Sequence, residues 1–193
     1  MSDKQVIDSR NELLKDEDIF VQQSKEDPGA FGPLFDFYAP RVYRYVLHRI
    51  GDVSVAEDLT SRIFTDALQS LIRYRPKRNG SFGGWLFTIA RRRCADHFRL
   101  TSPLPLSDFD LAENVPGPLD KVIYRDEQCR LNEILNSLND NDRELLRLRF
   151  AAELTYQQIG DAIGKSEAAA KMRLGRLLER MRIAWEGKDG TPK

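Results

Sequence analysis

Two stretches of the chain combine basic side chains with groups that can contact nucleic acid. Residues 73–99 carry eight basic and one acidic side chain, interleaved with the aromatic rings of Tyr74, Phe82 and Trp85. Single-stranded DNA binds where a positive groove offers flat rings on which bases can stack. Residues 165–182 carry six basic and two acidic side chains. The formal net charge of zero therefore conceals two surfaces suited to phosphate.

The second basic stretch belongs to a segment with the pattern of a helix-turn-helix. Thr155 and Gln158 have the spacing of a capping box at the start of a short helix, and Gly164 suits the turn that ends it. Ser166 is a good N-cap for a second helix, which in this motif enters the major groove of DNA. An ordinary pair of amphipathic helices with a solvated basic face is the alternative. The predicted DNA-contacting residues here are Ser166, Glu167, Lys171, Arg173 and Arg176.

Apolar residues recur at three- and four-residue spacings along nearly the whole chain, which predicts an all-α protein. We expect two small helical domains, at 16–100 and 120–185, joined by an acidic, proline-rich linker at 101–119. A flexible N-terminus at 1–15 and a disordered tail at 186–193 are predicted. Pro40 either interrupts a helix or opens the next one. The side chains predicted to face inward include Ile19, Phe35 and Leu68.

Several classes of protein are disfavoured by what the sequence lacks. Cys94 and Cys129 are far apart, and the only histidines are His48 and His97, so no metal site is expected. No phosphate-binding loop and no nucleophile–base pair is apparent, so we expect neither an enzyme nor a cofactor nor a small-molecule substrate. No apolar run approaches the length of a membrane span, and the N-terminus lacks a signal-peptide core, which predicts a cytoplasmic protein without membrane insertion.

The order and spacing of several motifs resemble the extracytoplasmic-function sigma factors of bacterial RNA polymerase, over about residues 16–183. The N-terminal half is similar to sigma region 2 through Val42-Tyr-Arg-Tyr-Val46, Ala56-Glu-Asp-Leu59 and Phe82-x-x-Trp-Leu-Phe-x-Ile-Ala90. The segment 129–182 is similar to sigma region 4 through Arg143-Glu144, Tyr156, Ile159, Ser166 and Lys171-x-Arg-Leu174.

This resemblance implies a fold of two helical domains and a protein that binds core RNA polymerase and promoter DNA. Region 2 would recognise and melt the −10 element, with a flipped base held near Asn79 and Ser81, and region 4 would recognise the −35 element. An anti-sigma factor is an expected inhibitor. The predicted −10 contacts are Arg75, Lys77, Arg78, Asn79, Ser81, Phe82, Trp85, Arg91 and Arg92. The predicted polymerase contacts are Glu57, Asp58, Ser61 and Arg62.

The chain departs from the family pattern on the helix expected to bind polymerase. Ser61-Arg62 stands where the family usually has Gln-Glu, and reversing a charge weakens binding to a basic partner. One hypothesis is that phosphorylation of Thr60 or Ser61 restores negative charge.

Two other functions fit parts of the sequence. A stand-alone helix-turn-helix regulator would need no basic, aromatic surface for single-stranded DNA, and residues 73–99 predict such a surface. A degenerate sigma-like protein would titrate polymerase or an anti-sigma factor without initiating transcription, as the departure at 61–62 allows.

Overall fold

Helices joined by short turns build a first lobe from the N-terminal half of the chain. The computed structural model describes residues 17–75, 80–101 and 120–187, with side chains from 127 onward in the last range. The first lobe comprises α1 (17–26), a 3₁₀ turn (Pro28–Phe31), α2 (Gly32–Ile50), α3 (Val53–Leu71) and α4 (Phe82–Leu100). No residue in the described ranges belongs to a strand, so the all-α prediction is confirmed.

The second lobe contains four helices and one π turn. Its elements are α5 (Asp120–Ser137), α6 (Asp140–Leu146), the π turn (Arg147–Ala151), α7 (Tyr156–Ile163) and α8 (Glu167–Glu186). The predicted linker and both tails fall almost entirely on 1–16, 102–119 and 188–193, which lie outside the described residues. The division into domains accordingly stays a prediction.

Local signals explain where the helices of the first lobe begin and end. Gly51 adopts a φ of 80°, which suits a residue without a Cβ just past the end of α2. Asp52 then caps α3 by accepting a hydrogen bond from the Val55 amide at 2.8 Å. Pro40 lies inside α2, which runs through it without a break. Asp36 and Pro40 are both exposed, so water can bond to the carbonyl that proline leaves without a donor.

An aromatic cluster forms the centre of the first lobe. Phe82, at the start of α4, contacts Phe31, Tyr38 and Tyr74 with ring centroids 5.6–6.1 Å apart in edge-on geometry. Such pairs stabilise beyond the area that they bury.

Three residues predicted to face inward are instead exposed. The exposed fractions are 54% for Ile19, 44% for Phe35 and 40% for Leu68, so this part of the prediction is wrong. On α1 the buried positions are Glu17, Val21 and Ser24, which shows that the inward stripe is shifted around the helix.

The two lobes pack directly against each other. α7 lies across α4, and the π turn lies against α2, so a single buried core includes residues from both lobes. Side chains predicted to bind DNA are found in or beside this contact.

Candidate polymerase and nucleic-acid interface

The helix-turn-helix is present as the sequence predicts. The Thr155 hydroxyl accepts from the Gln158 amide at 3.2 Å, and the Gln158 side chain accepts from the Thr155 amide at 3.0 Å. Gly164 adopts a φ of 68° in the turn, and Ser166 caps α8 by accepting from the Ala169 amide at 3.2 Å. These bonds satisfy helix-end groups that would otherwise lack partners.

The outer face of α8 is open to solvent at its start. Glu167, Lys171, Met172 and Arg176 are all exposed, while Ala170, Leu174 and Leu177 face the core. An exposed start of a second helix that carries basic side chains has the geometry needed to enter a major groove.

Asp142 on α6 organises two arginines of α8. Its carboxylate is buried and lies 2.6 Å from Arg180 Nη2 and 3.8 Å from Arg173 Nη2. Asn139 Nδ2 donates to the same carboxylate at 2.9 Å. Arg180 therefore anchors α8 to α6, whereas Arg173 remains 46% exposed at the edge of the predicted DNA face.

The predicted −10 residues divide into three groups in the structure. Lys77, Arg78 and Asn79 lie outside the described residues. Arg75 and Arg92 are exposed, and the Arg92 side chain is 84% exposed, with Asp96 at 3.9 Å. The others are Ser81, Phe82, Trp85 and Arg91, and each of them is engaged with other residues of the protein.

Phe82 is fully buried in the first-lobe core, so its ring offers no face for stacking a base. The prediction treated it as a member of a basic, aromatic surface, but the first residue of α4 points into the aromatic cluster. Trp85 is half-buried, with its ring tilted against Tyr74 at 4.6 Å and Phe82 at 5.4 Å between centroids. Of the three rings named from the sequence, only that of Trp85 keeps an accessible part, since Tyr74 is buried as well.

A polar groove lies between α3 and α4, and the sequence did not predict it. It has a volume of about 480 Å³. Arg93 in its wall binds the Asp66 carboxylate, with Nη2 and Oδ1 2.6 Å apart, which leaves Arg73 and Arg92 at the groove with exposed side chains. The groove brings together Asp66, Gln69, Ser70, Arg73, Ile89, Arg92, Arg93 and Asp96. Neither helix alone signals this pairing, because the residues are at least 16 positions apart across the two helices.

The predicted polymerase contacts lie on the outer face of α3. Glu57, Asp58, Ser61 and Arg62 are all exposed. Arg62 Nε is 2.9 Å from Asp58 Oδ2, one helical turn earlier. Arg62, which departs from the family pattern, thus forms a neutral pair with Asp58 on α3. Of the two acids, Glu57 is the one without an ion pair among the described residues. The exposed Leu68 and, at 68% exposed, Ile72 lie farther along the same helix and its end.

Acidic residues of the second lobe meet arginines of the first. Glu144 is 5% exposed and accepts from Tyr45 OH at 2.8 Å and from Arg91 Nε at 2.8 Å, and it also binds Arg49. Glu153 Oε1 lies 2.9 Å from Arg44 Nη2, and its other oxygen lies 3.6 Å from Arg41 Nη2.

Near the start of α4, α7 approaches the first lobe closely. Asp161 Oδ2 accepts from the Ser81 amide at 2.9 Å and from the Ser81 hydroxyl at 3.0 Å. Gln158 Nε2 donates to Tyr38 OH at 3.0 Å, and Arg91 also donates to the Ala162 carbonyl.

Burial shifts the pKa values of several groups along this contact. Burial, and then the adjacent Glu17 and Glu144 carboxylates, raise the pKa of Tyr38 and of Tyr45 respectively well above the usual value, so both hydroxyls remain donors. Burial, assisted by Arg147 and Arg44, lowers the pKa of His48. Burial raises the pKa of the Cys94 thiol to about 12, which makes it a poor nucleophile.

Comparison with known proteins identifies both lobes. Residues 34–102 match the family model for Sigma-70 region 2, and residues 134–182 match that for Sigma-70, region 4. The solved structure of CnrH in complex with the cytosolic domain of CnrY superposes with a TM-score of 0.57 at 19% identity, covering 89% of this chain and 97% of that one. The architecture is thus that of a two-region sigma factor.

Proteins with similar sequences identify the family of sigma factors to which the chain belongs. The ECF RNA polymerase sigma factor SigK of Mycobacterium sp. (strain KMS) is 32% identical over 168 residues, which are 84% of this chain and 86% of SigK. BldN of Streptomyces coelicolor, another ECF RNA polymerase sigma factor, is 36% identical over 146 residues, 74% of this chain but only 55% of BldN. The chain belongs to the ECF family of RNA polymerase sigma factors, which direct the initiation of transcription.

Within the residues that the structure describes, every helix is too short or too polar to cross a lipid bilayer. The same residues bring no three metal-ligating side chains together.

Proposed function

We propose that this sigma factor directs RNA polymerase to its promoters with the first lobe on the −10 element and the second lobe on the −35 element. The two lobes act as domains 16–100 and 120–185, joined by the linker 101–119, in the cytoplasm where polymerase works. The observation that carries the proposal is the open face of α8, where Lys171 and Arg176 extend into solvent from the second helix of a helix-turn-helix.

At the −35 element, different side chains of α8 suit different chemical groups of the DNA. Arg173 can make a bidentate contact with guanine, because a guanidinium matches the O6 and N7 acceptors in the major groove. Lys171 and Arg176 suit phosphate or base edges. Ser166 and Glu167 lie at the start of the helix, where Glu167 can accept from cytosine or simply complement the helix dipole.

At the −10 element, the groove between α3 and α4 offers a surface with exposed basic side chains. Arg92 and Arg73 are exposed there, and Trp85 lies on α4 one turn before Ile89. A melted strand can track this groove with its phosphates while a base contacts the accessible part of the indole. Lys77, Arg78 and Asn79 stay proposed −10 contacts on the basis of the sequence.

The outer face of α3 is the proposed polymerase-binding surface. Glu57 and the Asp58–Arg62 pair provide a polar edge beside the exposed apolar side chains of Leu68 and Ile72. Mixed surfaces of this kind combine apolar burial with charges that steer and orient the encounter.

Phosphorylation remains a hypothesis for this surface. The Ser61 hydroxyl is exposed and donates to the Glu57 carbonyl at 3.1 Å, whereas Thr60 is half-buried and donates to the Ala56 carbonyl at 2.7 Å. Accessibility therefore favours Ser61 as the modified residue. If Ser61→Ala and Thr60→Ala purified from the native host bind core polymerase as tightly as the wild-type protein, the hypothesis fails.

An inhibitory protein partner is the proposed control. The family resemblance implies an anti-sigma factor, and CnrH, which shares this fold, has been solved bound to the cytosolic domain of CnrY. Such a partner would cover the DNA-binding or polymerase-binding faces described above.

Transcription in vitro with purified core polymerase and a pool of genomic fragments tests the proposal. We expect defined transcripts only when the protein is added. Lys171→Ala should weaken promoter binding and reduce the slope of log affinity against log salt by about 1, as loss of one phosphate contact does. Arg182→Ala is the matched control, because Arg182 lies on the same helix but pairs with Glu179 and Glu186.

Two results would contradict the proposal. Absence of added transcripts would remove the promoter-specificity role and favour the degenerate, titrating alternative. Specific duplex binding without polymerase, combined with no polymerase binding, would favour a stand-alone regulator.

A further inference from the structure

Glu17 is a buried acid that lies outside the part of the chain that matches Sigma-70 region 2. It is the first described residue of α1 and is only 6% exposed, whereas the region 2 match begins at residue 34. Burying a carboxyl group is costly unless hydrogen bonds compensate for the lost water. None of the proposed contacts with polymerase or DNA involves Glu17, so the partners of its side chain indicate what it does.

The hydrogen bonds of Glu17 lead to the first turn of α4. Its Oε2 atom accepts from the Phe82 amide at 3.0 Å, and the Gly83 amide also donates to the carboxyl group. The next amide, that of Gly84, donates to Ser81 Oγ at 3.1 Å. The first amides of a helix have no partner within the helix itself. Glu17 therefore completes, from α1, the cap that Ser81 begins.

The other oxygen of Glu17 is held by Tyr38, a fully buried residue of α2. The Tyr38 hydroxyl donates to Glu17 Oε1, and the Tyr38 ring packs edge-on against Phe82 with centroids 5.6 Å apart. A Cβ added at Gly83 would lie 2.5 Å from the Tyr38 hydroxyl oxygen, so the missing side chain at Gly83 leaves the room that this hydroxyl occupies. α1 and α2 thus hold the start of α4 together.

The turn held in this way is one end of the segment 75–81, which carries proposed −10 contacts. The other end is Tyr74, whose ring lies edge-on to Phe82 with centroids 6.1 Å apart. Trp85 of α4 packs on the same Tyr74 ring with centroids 4.6 Å apart. Both ends of the segment and the accessible indole therefore meet around Phe82, whose amide Glu17 binds.

From these contacts we infer that Glu17 is a positioning residue for promoter opening: its carboxyl group fixes the first turn of α4 and thereby sets the segment 75–81 and the Trp85 ring for the melted −10 strand. Fixing them in advance reduces the conformational freedom that binding must remove. Glu17 itself is buried and acts without touching DNA. The inference rests on the proposed function, which assigns Trp85 and the segment 75–81 to the −10 element.

Glu17→Ala tests the inference, with Glu26→Ala as the matched control. Glu26 is an exposed acid on the same helix, so its loss leaves the start of α4 unchanged. The probe is a single-stranded oligonucleotide with the non-template sequence of the −10 region, taken from a promoter that the transcription assay identifies. Holoenzyme assembled with each variant is titrated with this probe, and the affinity of each variant for core polymerase is measured in parallel.

We expect Glu17→Ala holoenzyme to bind the oligonucleotide about tenfold more weakly than wild-type holoenzyme, because the segment and the indole must then be ordered on binding. Affinity for core polymerase should stay the same, since the proposed polymerase surface on α3 is separate from the start of α4. A general loss of stability in the first lobe would weaken both. Glu26→Ala should match the wild type, and Glu17→Gln should keep most of the affinity, because its amide oxygen can still accept from the Phe82 amide.

Amide hydrogen exchange in the free protein gives a second readout that does not depend on DNA. In Glu17→Ala, exchange at the Phe82 and Gly83 amides should accelerate by about tenfold or more, as local opening becomes easier. Exchange at the capped Val55 amide of α3 should stay the same. Tyr38→Phe, which keeps the ring but removes the hydroxyl that holds Glu17, should shift both readouts in the same direction and serves if Glu17→Ala does not fold.

The inference is overturned if Glu17→Ala, with its fold intact by circular dichroism, binds the oligonucleotide as tightly as the wild type. It is also overturned if affinity for core polymerase falls as far as affinity for the oligonucleotide. The proposed function stands in both cases as long as wild-type holoenzyme binds the −10 strand. If wild-type holoenzyme does not bind that strand, the −10 role of the first lobe fails, and the inference fails with it even where amide exchange shows that Glu17 holds the start of α4.

Discussion

Glu144 is the most heavily bonded acid in the contact between the two lobes, and its replacement by glutamine should open the lobes. The carboxylate contacts Tyr45, Arg49 and Arg91 of the first lobe, and Arg147 of its own lobe lies 3.8 Å away. Glutamine keeps the size and shape but removes the negative charge, so it leaves the arginines together without a counterion.

The size of the effect follows from burial. Breaking a buried ion pair by removing one partner costs about 3–5 kcal/mol. The Arg91 side chain is 34% exposed and Arg49 is 21% exposed, so water compensates them in part and the lower end applies. Once the lobes separate, both arginines are solvated and the penalty disappears. A destabilisation of about 3 kcal/mol, confined to the closed form, shifts the ratio of closed to open molecules by about a hundredfold.

Energy transfer between dyes attached to the exposed Cys129 and to a Val53→Cys substitution measures this shift, with Glu179→Gln as the matched control. Glu179 is also an acid that contacts an arginine, Arg182, but both are exposed on α8 away from the contact between the lobes. Glu144→Gln should populate the open form strongly, and Glu179→Gln should not. An unchanged distribution for Glu144→Gln, with the fold intact by circular dichroism, would show that the charge at this position does not hold the lobes together.

Two further predictions concern the first lobe. Burial raises the pKa of Glu17 above 4.5 despite hydrogen bonds from Tyr38 and the Phe82 amide. The stabilisation of the folded protein by the protonated carboxyl is therefore fully present below pH 4.5 and is lost as pH rises through the raised pKa. Relative to Glu17→Gln, the wild-type protein should therefore lose stability as pH increases from 4.5 towards neutral, and parallel curves from urea unfolding would contradict this. Phe82→Ala should lower the free energy of unfolding by about 3–5 kcal/mol because it empties the centre of the aromatic cluster. A loss below about 1 kcal/mol, with −10 binding abolished, would restore Phe82 to the DNA surface.

The sequence predicts best those features that local chemistry determines. The capping box at Thr155 and Gln158, the turn at Gly164 and the cap at Ser166 each depend on residues within four positions, and all are present. The outward direction of Lys171 follows from the same helix, because the inward stripe is regular.

Features that depend on distant parts of the chain were missed for a physical reason. An arginine in a basic stretch looks the same whether it faces DNA or a carboxylate 53 residues later, as Arg91 does with Glu144. Phe82 likewise fits both a stacking surface and a core, and only the approach of Phe31, Tyr38 and Tyr74 decides between them. Gly84 carries no sign in its local sequence that Asp161 lies against it.

The double engagement of Asp142 has a kinetic consequence for promoter search. Immobilising a long, freely rotating side chain on binding costs about 0.5–1.5 kcal/mol. Arg173 is already restricted by Asp142 at 3.8 Å, and Arg180 at 2.6 Å remains to neutralise the acid when Arg173 turns towards a base. Arg173 thus lies beside the predicted DNA face before it meets DNA and leaves no uncompensated carboxylate behind when it turns towards a base, which should shorten the time from encounter to specific contact.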